Sequence, residues 1–454
     1  MIKRTLKQIQ QMVGGSGLAP AFAELIVQGV VIDSRVVAPG NLYIPIIGKQ
    51  VNGHDFVKQA IADQAVAVFW QKDIPAMPTA VPVIIVDDTK IALQKLATAY
   101  QNELAMRVVG ITGSNGKTST KDILASILAT TYRVHKTPGN LNSEFGMPLT
   151  LLAAPADTEI VVLEMGMRGL GQIKLLSELA RPEVSVITCI GEAHIEELGS
   201  RANISRAKFE ITAGLSEAGL LVYHGDEPLL QQRLAKSNAK FKQVTFGEAI
   251  SNEYYPTSIA ICNQEMVFTI PQTQQAFNLA VLGKHNVMNA LAAIAVSRHF
   301  NVSFAKIKAG LATVVMSKMR MEITHAKNGM MIIDDTYNSS PTSVRATLDL
   351  LYELTGFEKK IVVLADMLEL GVQTQSYHEE IGAIIDSNEI DILLTYGPRS
   401  QHTANKAKVP ITEHFADKLD LAKKLNLLAG AKDVCLIKGS RGMALEVVID
   451  WLKN

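Results

Sequence analysis

Cysteine is scarce in this chain: only Cys189, Cys262 and Cys435 occur in 454 residues, and they lie far apart. That spacing excludes a disulfide framework or a multi-cysteine zinc site and predicts three reduced thiols. An excess of one charge is also missing. Lys plus Arg number 44 and Asp plus Glu number 44, so no global field draws the chain to nucleic acid or to an anionic membrane. No apolar run approaches the ~20 residues of a transmembrane helix. The opening stretch MIKRTLKQIQQMVGG has early basic residues but no signal-peptide apolar core, because Lys7, Gln8, Gln10 and Gln11 interrupt it. Repeats of solenoid length and low-complexity tracts are absent as well. These absences lead to an expectation of a soluble, cytoplasmic protein with no membrane span and no nucleic-acid partner.

What is present is apolar residue in quantity, 48% of the chain, enough to fill cores in about three domains of ~150 residues. Residues 1–82 read as a small α/β unit with short β-like runs, VVIDSR, NLYIPIIG and VAVFW, between Gly, Asn and Pro. Pro75, Pro78 and Pro82 thin out regular structure and predict a hinge region. Residues 83–313 open with a helical stretch over 89–101. They then alternate the apolar runs VVGIT, IVVLEMG, VSVITCI and GLLVYHG with helix-period segments. That alternation predicts a doubly wound parallel sheet of P-loop type. Shorter, antiparallel-style strands follow near 253–282, and then a helix in HNVMNALAAIAVSRHF. Residues 314–454 carry a second alternating series, MMIIDDTY, KIVVLADM, DILLTYG and DVCLIKGS. This is expected to be an independent, Rossmann-like α/β domain. The fold class is therefore α/β in three domains.

The chemistry concentrates in RVVGITGSNGKTS, residues 107–119. A β-rich run enters a Gly-bracketed loop of Thr112, Gly113, Ser114, Asn115 and Gly116, and then Lys117, Thr118 and Ser119 open an amphipathic helix. Loop amides and the helix N-terminus offer N–H donors to phosphate oxygens, Lys117 adds a mobile charge, and the Thr118 hydroxyl suits Mg²⁺. The strict phosphate-loop pattern needs a Gly where Ile111 stands, so T-G-x-x-G-K-T is a variant. Glu164 ends the run IVVLEMG and His194 follows the next strand. Both therefore emerge at strand carboxyl ends, where ligands bind in such sheets. Glu164 can hold Mg²⁺ there, and His194 can bind a second metal or orient a phosphate. Lys208, on a helix after that loop, reads by itself as a surface lysine. Asp334 and Asp335 end a strand before Thr336, Tyr337 and Asn338. Adjacent strand residues face opposite ways, so one carboxylate at most faces a ligand. A ribose partner with Tyr337 over a base, or plain turn chemistry before Pro341, both fit. In the leading unit, Ser34 and Arg35 suit a diphosphate or a carboxylate, or simply a solvated surface.

Taken together, these residues resemble the Mur ligase family, ATP-dependent amide-forming enzymes of peptidoglycan precursor synthesis. TGSNGKTST is similar to the family's ATP loop, TPGNLNSEFGMPLTLL to the segment after its second central strand, LEMGMRGLGQI to its metal-binding Glu segment and IGEAHIEELGS to its His segment. LIKGSRGM is similar to the family's terminal KGSR segment, and DDTYNSSPTS, LADMLELG with the following His378, and NGHDF are similar to the members that add a dipeptide rather than one amino acid. Such members act on UDP-N-acetylmuramoyl-tripeptide and D-alanyl-D-alanine.

The resemblance implies ATP and two Mg²⁺ ions as cofactors, and a monomer. Lys117 would contact the ATP phosphates, and residues 112–119 would form the loop. Thr118 and Glu164 would hold one metal. His194 would help hold the second, with Lys208 if it is carbamylated. Asn286 would contact adenine, Arg320 the γ-phosphate, Asp334 the ribose and Tyr337 the nucleotide. Ser34, Arg35, Asn52, His54, Asn140, Asn142 and Asn338 would bind the UDP-linked substrate or the dipeptide. The leading domain would take the UDP-sugar and the C-terminal domain the dipeptide. Ser143 departs from the family, where a second Asn is common. Two other readings stand beside this one. One is a different ligase of the superfamily. The other is a nucleotide-binding partner subunit of a type that carries a four-cysteine zinc insertion, which three scattered cysteines do not supply.

Overall fold

The computed structural model describes all 454 residues, Met1–Asn454. Three parallel-stranded units follow one another along the chain. The leading unit is a four-stranded parallel sheet ordered Val30–Val31, Leu42–Tyr43, Ala67–Gln71 and Val83–Val86, with a small antiparallel pair Lys3–Thr5 and Ile26–Gln28 beside it. Its last strand corrects the expected boundary at residue 82. Val83–Val86 pairs with Ala67–Gln71, so the prolines before it sit in a loop inside the unit. The break comes only at Asp88, whose side chain accepts from Ile91 N and caps helix Thr89–Glu103.

The central sheet is six-stranded and parallel throughout, ordered Lys242–Phe246, Leu220–His224, Val184–Ile187, Arg107–Thr112, Ile160–Glu164 and Val134–Lys136. The chain starts in the middle at Arg107–Thr112 and winds first to one side and then to the other. The crevice beside that strand's carboxyl end is therefore the topological switch point, where such sheets bind ligands. Helix Lys117–Ala129 leaves this point. It packs against Lys284–His299, a helix buried continuously from Asn286 to Ser297. A three-stranded antiparallel sheet, Ser258–Cys262, Glu265–Thr269 and Phe277–Leu279, precedes that helix.

The C-terminal sheet is ordered Glu322–His325, Met331–Asp335, Val434–Lys438, Lys360–Ala365, Ile392–Tyr396 and Ile411–Phe415, parallel except for its antiparallel first strand. The period of two separates its faces. Ile333, Val362, Leu364, Leu393 and Leu436 join the large core shared with the rest of the molecule. Ile332, Ile361, Val363, Ile392, Leu394, Cys435 and Ile437 form a second core under helices Lys418–Leu428 and Glu446–Lys453. No helix is long and apolar enough to cross a membrane.

Helix Phe304–Ala312 crosses the phosphate-loop helix at Gly310 so closely that a Cβ there would lie 2.5 Å from Ile127 Cα. Backbone meets backbone at this point, so the contact cannot be relieved by a rotamer change. Gly310→Ala is expected to destabilise the central domain by about 1–3 kcal/mol. Thermal unfolding followed by circular dichroism should show an apparent Tm below that of the wild type.

Candidate functional site

The site grows from the end of strand Arg107–Thr112. Gly113 has φ +151° and Gly116 φ +80°, and a Cβ on either would collide with Thr188 Oγ1 or Asn289 Oδ1 respectively. Glycine is therefore required at both ends of the loop. The helix then starts at Lys117 with no side-chain cap and no acidic residue in its first turn. Its first N–H groups stay open, which makes this terminus an anion site. The loop is held from behind. Ser114 N donates to Cys189 O at 2.9 Å, Asn115 N to Cys189 Sγ at 3.3 Å, and Thr188 Oγ1 to Asn115 O at 2.5 Å. Lys117 Nζ bends back to donate to the Gly113 and Ser114 carbonyls at 2.7 and 3.3 Å. Thr112 faces the sheet, donating to Met165 O at 2.8 Å, and Ser119 lies half-buried in the first turn.

Directly beneath the helix start, Thr118 Oγ1 donates to Glu164 Oε2 at 2.7 Å, and Asn142 Nδ2 donates to Glu164 Oε1 at 2.7 Å. Thr118 and Glu164 are 3% exposed. Hydroxyl and carboxylate oxygens are the donors a hard divalent cation takes, so this pair fits Mg²⁺. The helix Arg201–Phe209 delivers Lys208 to the same region. Here the reading of Lys208 as a surface residue fails. Its side chain is fully buried, and its amine has no hydrogen-bond partner. Burial, then repulsion from Lys117, pushes the Lys208 amine well below its ordinary range. Burial that favours the neutral amine also favours its attack on CO₂, and the resulting carbamate would be an oxygen ligand. Lys117 is also shifted down, first by burial, with Glu164 opposing and Arg320 adding to it.

His194 adopts a left-handed backbone, φ +65°, at the head of a short helix, and its Nδ1 lies 2.8 Å from Glu369 Oε2 of the C-terminal domain. Contact with His194 holds the Glu369 carboxyl below its usual range. Further interdomain contacts cluster here. Glu192 accepts from Thr342 N at 3.2 Å and from Thr342 Oγ1 at 2.6 Å, and Asn115 Nδ2 donates to Ser340 Oγ at 3.3 Å. Helix Pro341–Glu353 thus sets its N-terminus against the phosphate loop.

Among the other expected residues, Asn286 is 1% exposed. It donates to Leu282 O at 2.8 Å and accepts from Asn289 Nδ2 at 3.1 Å, while Asn289 accepts from Thr120 Oγ1 at 3.2 Å. The Asn286 amide thus holds the start of its own helix and orients Asn289, which ties that helix to the phosphate-loop helix through Thr120. Asn289 was missed, although an Asn three residues on lies on the same helical face. Asp334 is buried and accepts from Thr336 N and Oγ1, so turn chemistry occupies it in this structure. Burial raises its carboxyl above the ordinary range. Asp335, on the other face, pairs with the buried Lys438, which also donates to Asn338 O. The Arg320 guanidinium lies 4.1 Å from the Tyr337 ring centroid. The Asn338 side chain is exposed.

The expected substrate residues of the leading domain lie apart from this cluster. Ser34 is buried in a short turn, and Arg35 makes a two-point pair with Asp33 while remaining 85% exposed. Asn52 caps the turn Gly53–Phe56, and His54 is buried edge-on against Trp70. Asn140 is exposed on the loop that brings Asn142 to Glu164. Ser143, the departure from the family pattern, accepts from Phe145 N and Gly146 N and so starts the next helix.

Comparison with known proteins matches three regions of the chain. Residues 26–101 match the model "Mur ligase family, catalytic domain", residues 111–297 "Mur ligase middle domain", and residues 319–441 "Mur ligase, glutamate ligase domain". A protein of Bacillus subtilis (strain 168) named UDP-N-acetylmuramoyl-tripeptide–D-alanyl-D-alanine ligase is 44% identical, covering 99% of this chain and 98% of its own. A crystal structure of MurF from Acinetobacter baumannii superposes with a TM-score of 0.90 at 28% identity, over 100% of this chain and 99% of that one. MurF ligase from Thermotoga maritima, solved in complex with ADP, gives 0.83 at 28% identity over 94% and 97%. With three regions matched in order and nearly the whole length aligned, the chain belongs to the Mur ligase family.

Proposed function

We propose that this protein joins the peptide carboxylate of UDP-N-acetylmuramoyl-tripeptide to the amine of D-alanyl-D-alanine, with ATP converted to ADP and phosphate. The product is the UDP-linked pentapeptide used for peptidoglycan. Full-length likeness to ligases of that name supports the substrate pair. The observation that carries the chemistry is the Thr118–Glu164 contact under an open helix N-terminus, with the Lys208 amine buried in the same region.

A carboxylate is a poor electrophile, and its charge repels nucleophiles. Transfer of the γ-phosphoryl group to it makes an acyl phosphate. The dipeptide amine then attacks, and the tetrahedral intermediate expels phosphate. The protein's task is to position groups and compensate charge. Lys117 would turn from its loop carbonyls to the nucleotide phosphates, joined by the free N–H groups of the helix start. Arg320, in the interdomain linker and stacked on Tyr337, would reach the γ-phosphate. Thr118 and Glu164 would hold one Mg²⁺, and His194 with a carbamylated Lys208 would hold a second. When bound, they supply the positive charge that lets two anions approach. The C-terminal domain, with Asn338 and the loop 364–371, receives the dipeptide. The leading domain, with Ser34 and Arg35, takes the UDP-sugar, and the protein acts as a cytoplasmic monomer. The carbonyl and imidazole that hold that C-terminal loop are in place: Met367 N donates to His378 Nε2 at 3.1 Å, and His378 Nδ1 lies 2.7 Å from Thr374 O.

Lys117→Ala should lower dipeptide-dependent phosphate release by about 10²–10³-fold, the size seen when one preorganised charge-stabilising donor is removed. The variant should keep its circular dichroism spectrum. Turnover near wild type in that folded variant would sink the assignment, and phosphate release that responds to single amino acids instead of the dipeptide would reassign the substrate. The carbamate has its own signature. Stripping dissolved CO₂ should lower turnover several-fold at neutral pH, and bicarbonate should restore it. Lys208→Arg, which stays charged and cannot form a carbamate, should be inactive with or without bicarbonate.

A further inference from the structure

The linker between the central and C-terminal domains, residues 313–321, is pinned at two points. Near its middle, Ser317 donates its N–H and its hydroxyl to Asp122 Oδ2, at 2.9 and 2.7 Å. Asp122 lies on the phosphate-loop helix, Lys117–Ala129, and is 1% exposed. Its other oxygen accepts from Lys136 Nζ at 2.6 Å, with Lys121 Nζ 3.5 Å away. A buried carboxylate with this many donors is a firm anchor. Three residues on, Arg320 stacks on Tyr337, and Met319 O accepts from Tyr337 N at 3.2 Å, so this end of the linker travels with the C-terminal domain. Between and around these anchors, Met319 and Met321 have φ of +63° and +54°. Two unbranched but non-glycine residues in the left-handed region cost of order 1 kcal/mol each, and they persist only where flanking contacts impose them. Arg320 stands between them, and its Nε is buried without a partner.

We propose that Asp122 is a positioning residue for the reaction: by clamping Ser317 to the phosphate-loop helix, it sets where Arg320 stands relative to the bound nucleotide. This rests on the reading of Arg320 as the γ-phosphate contact. The helix that presents Lys117 and Thr118 to one end of the triphosphate also, one turn later, fixes the strap that carries Arg320 to it. The free stretch between the two anchors is then confined to the bonds from Ser317 to Met319, and the linker before it belongs to the central domain as a rigid part.

The test is a double-mutant cycle on the full chain, with kcat and the KM for ATP, UDP-tripeptide and dipeptide measured for wild type, Ser317→Ala, Arg320→Ala and the double variant. Ser317 is chosen because its replacement removes the shorter, hydroxyl bond of the clamp while leaving Asp122 paired with Lys136 and with the Ser317 N–H, so folding is preserved. Ser317→Ala should lower kcat about tenfold, the scale on which a misplaced catalytic group costs rate. The KM for UDP-tripeptide and the Tm should be unchanged, and Ser317→Thr, which keeps the hydroxyl, should restore the rate. The double variant should be no slower than Arg320→Ala, because a positioning residue has nothing to position once its target is gone. Multiplying losses in the double variant, or a Ser317→Ala enzyme as fast as wild type, would overturn the proposal. So would a fall in Tm that accounts for the lost rate. If Arg320→Ala turns over like wild type, the reading of Arg320 fails and this inference with it. That outcome is distinguishable from an impaired Arg320→Ala with multiplying losses, which removes the clamp alone.

Discussion

The site depends on a helix terminus that the fold leaves unsatisfied. Most helix starts close their free N–H groups with a Ser, Thr, Asp or Asn cap, and several helices of this chain do so, through Asp88, Ser200, Ser303 and Asp417. Helix Lys117–Ala129 does not. An open terminus in a buried crevice can be kept only if everything around it is held by something else. That explains why the loop's carbonyls and amides bond backwards, to Thr188 and to Cys189 on the neighbouring strand end. It also explains the glycines at 113 and 116, which let Thr188 and Asn289 press against the loop. The glycine missing from the strict motif is not needed for this. Ile111 is a fully buried strand residue in register with Glu164, and the loop turns only after it.

Charge follows from the same constraint. Arg320 lies close enough to repel the Lys117 amine and Lys117 close enough to repel that of Lys208, while the Glu164 carboxylate opposes both shifts. Burial is the larger cause for both amines and the like charges add to it, so both lysines are shifted toward the neutral form. For Lys117 the bias is undone by a triphosphate, whose arrival would favour the charged amine. A carbamate on Lys208 would remove that cation altogether. On the proposed reading, one desolvated environment would suit one lysine to a phosphate and the other to modification. The difference is set by which of them faces the open helix start.

The interior of this architecture was legible in the sequence, and its edges were not. Apolar runs marked the strands Arg107–Thr112, Ile160–Glu164, Val184–Ile187 and Leu220–His224, and their counterparts in the C-terminal sheet. The strands that escaped, Val134–Lys136, Lys242–Phe246, Glu322–His325 and Ile411–Phe415, are the outermost members of the two six-stranded sheets. Edge strands face solvent on one side and carry polar residues, here VHK, KQVTF, EITH and ITEHF, so they present no apolar run to read. The proline-marked boundary failed for a related reason: the prolines lie in a loop, but the strand after it returns to the leading sheet. At the site, the loop and Glu164 were readable because each sits at the end of a strand. Asn289, Glu192, Asp122 and Ser317 were not. Their partners lie more than a hundred residues away, and nothing local distinguishes them from surface polar residues.

The contacts between the central and C-terminal domains nearest the phosphate loop are polar. Asn115 meets Ser340, Glu192 meets Thr342, and His194 meets Glu369. Partly exposed pairs of this kind contribute about 0–1 kcal/mol each and weaken with salt. They define a register for docking without committing the domains to it. Several also use groups that an anionic substrate would compete for, such as the N-terminus of helix Pro341–Glu353, where Glu192 accepts from Thr342 N. The Asp122–Ser317 clamp is of a different kind. Its carboxylate is shielded from water and meets four donor hydrogen bonds or ion pairs, so salt and solvent barely reach it. A molecule that must open to admit three substrates and close to react them needs both sorts of contact. Weak polar pairs face the cleft and exchange with ligand, while the buried clamp keeps the swinging arm anchored to the helix that holds the phosphates.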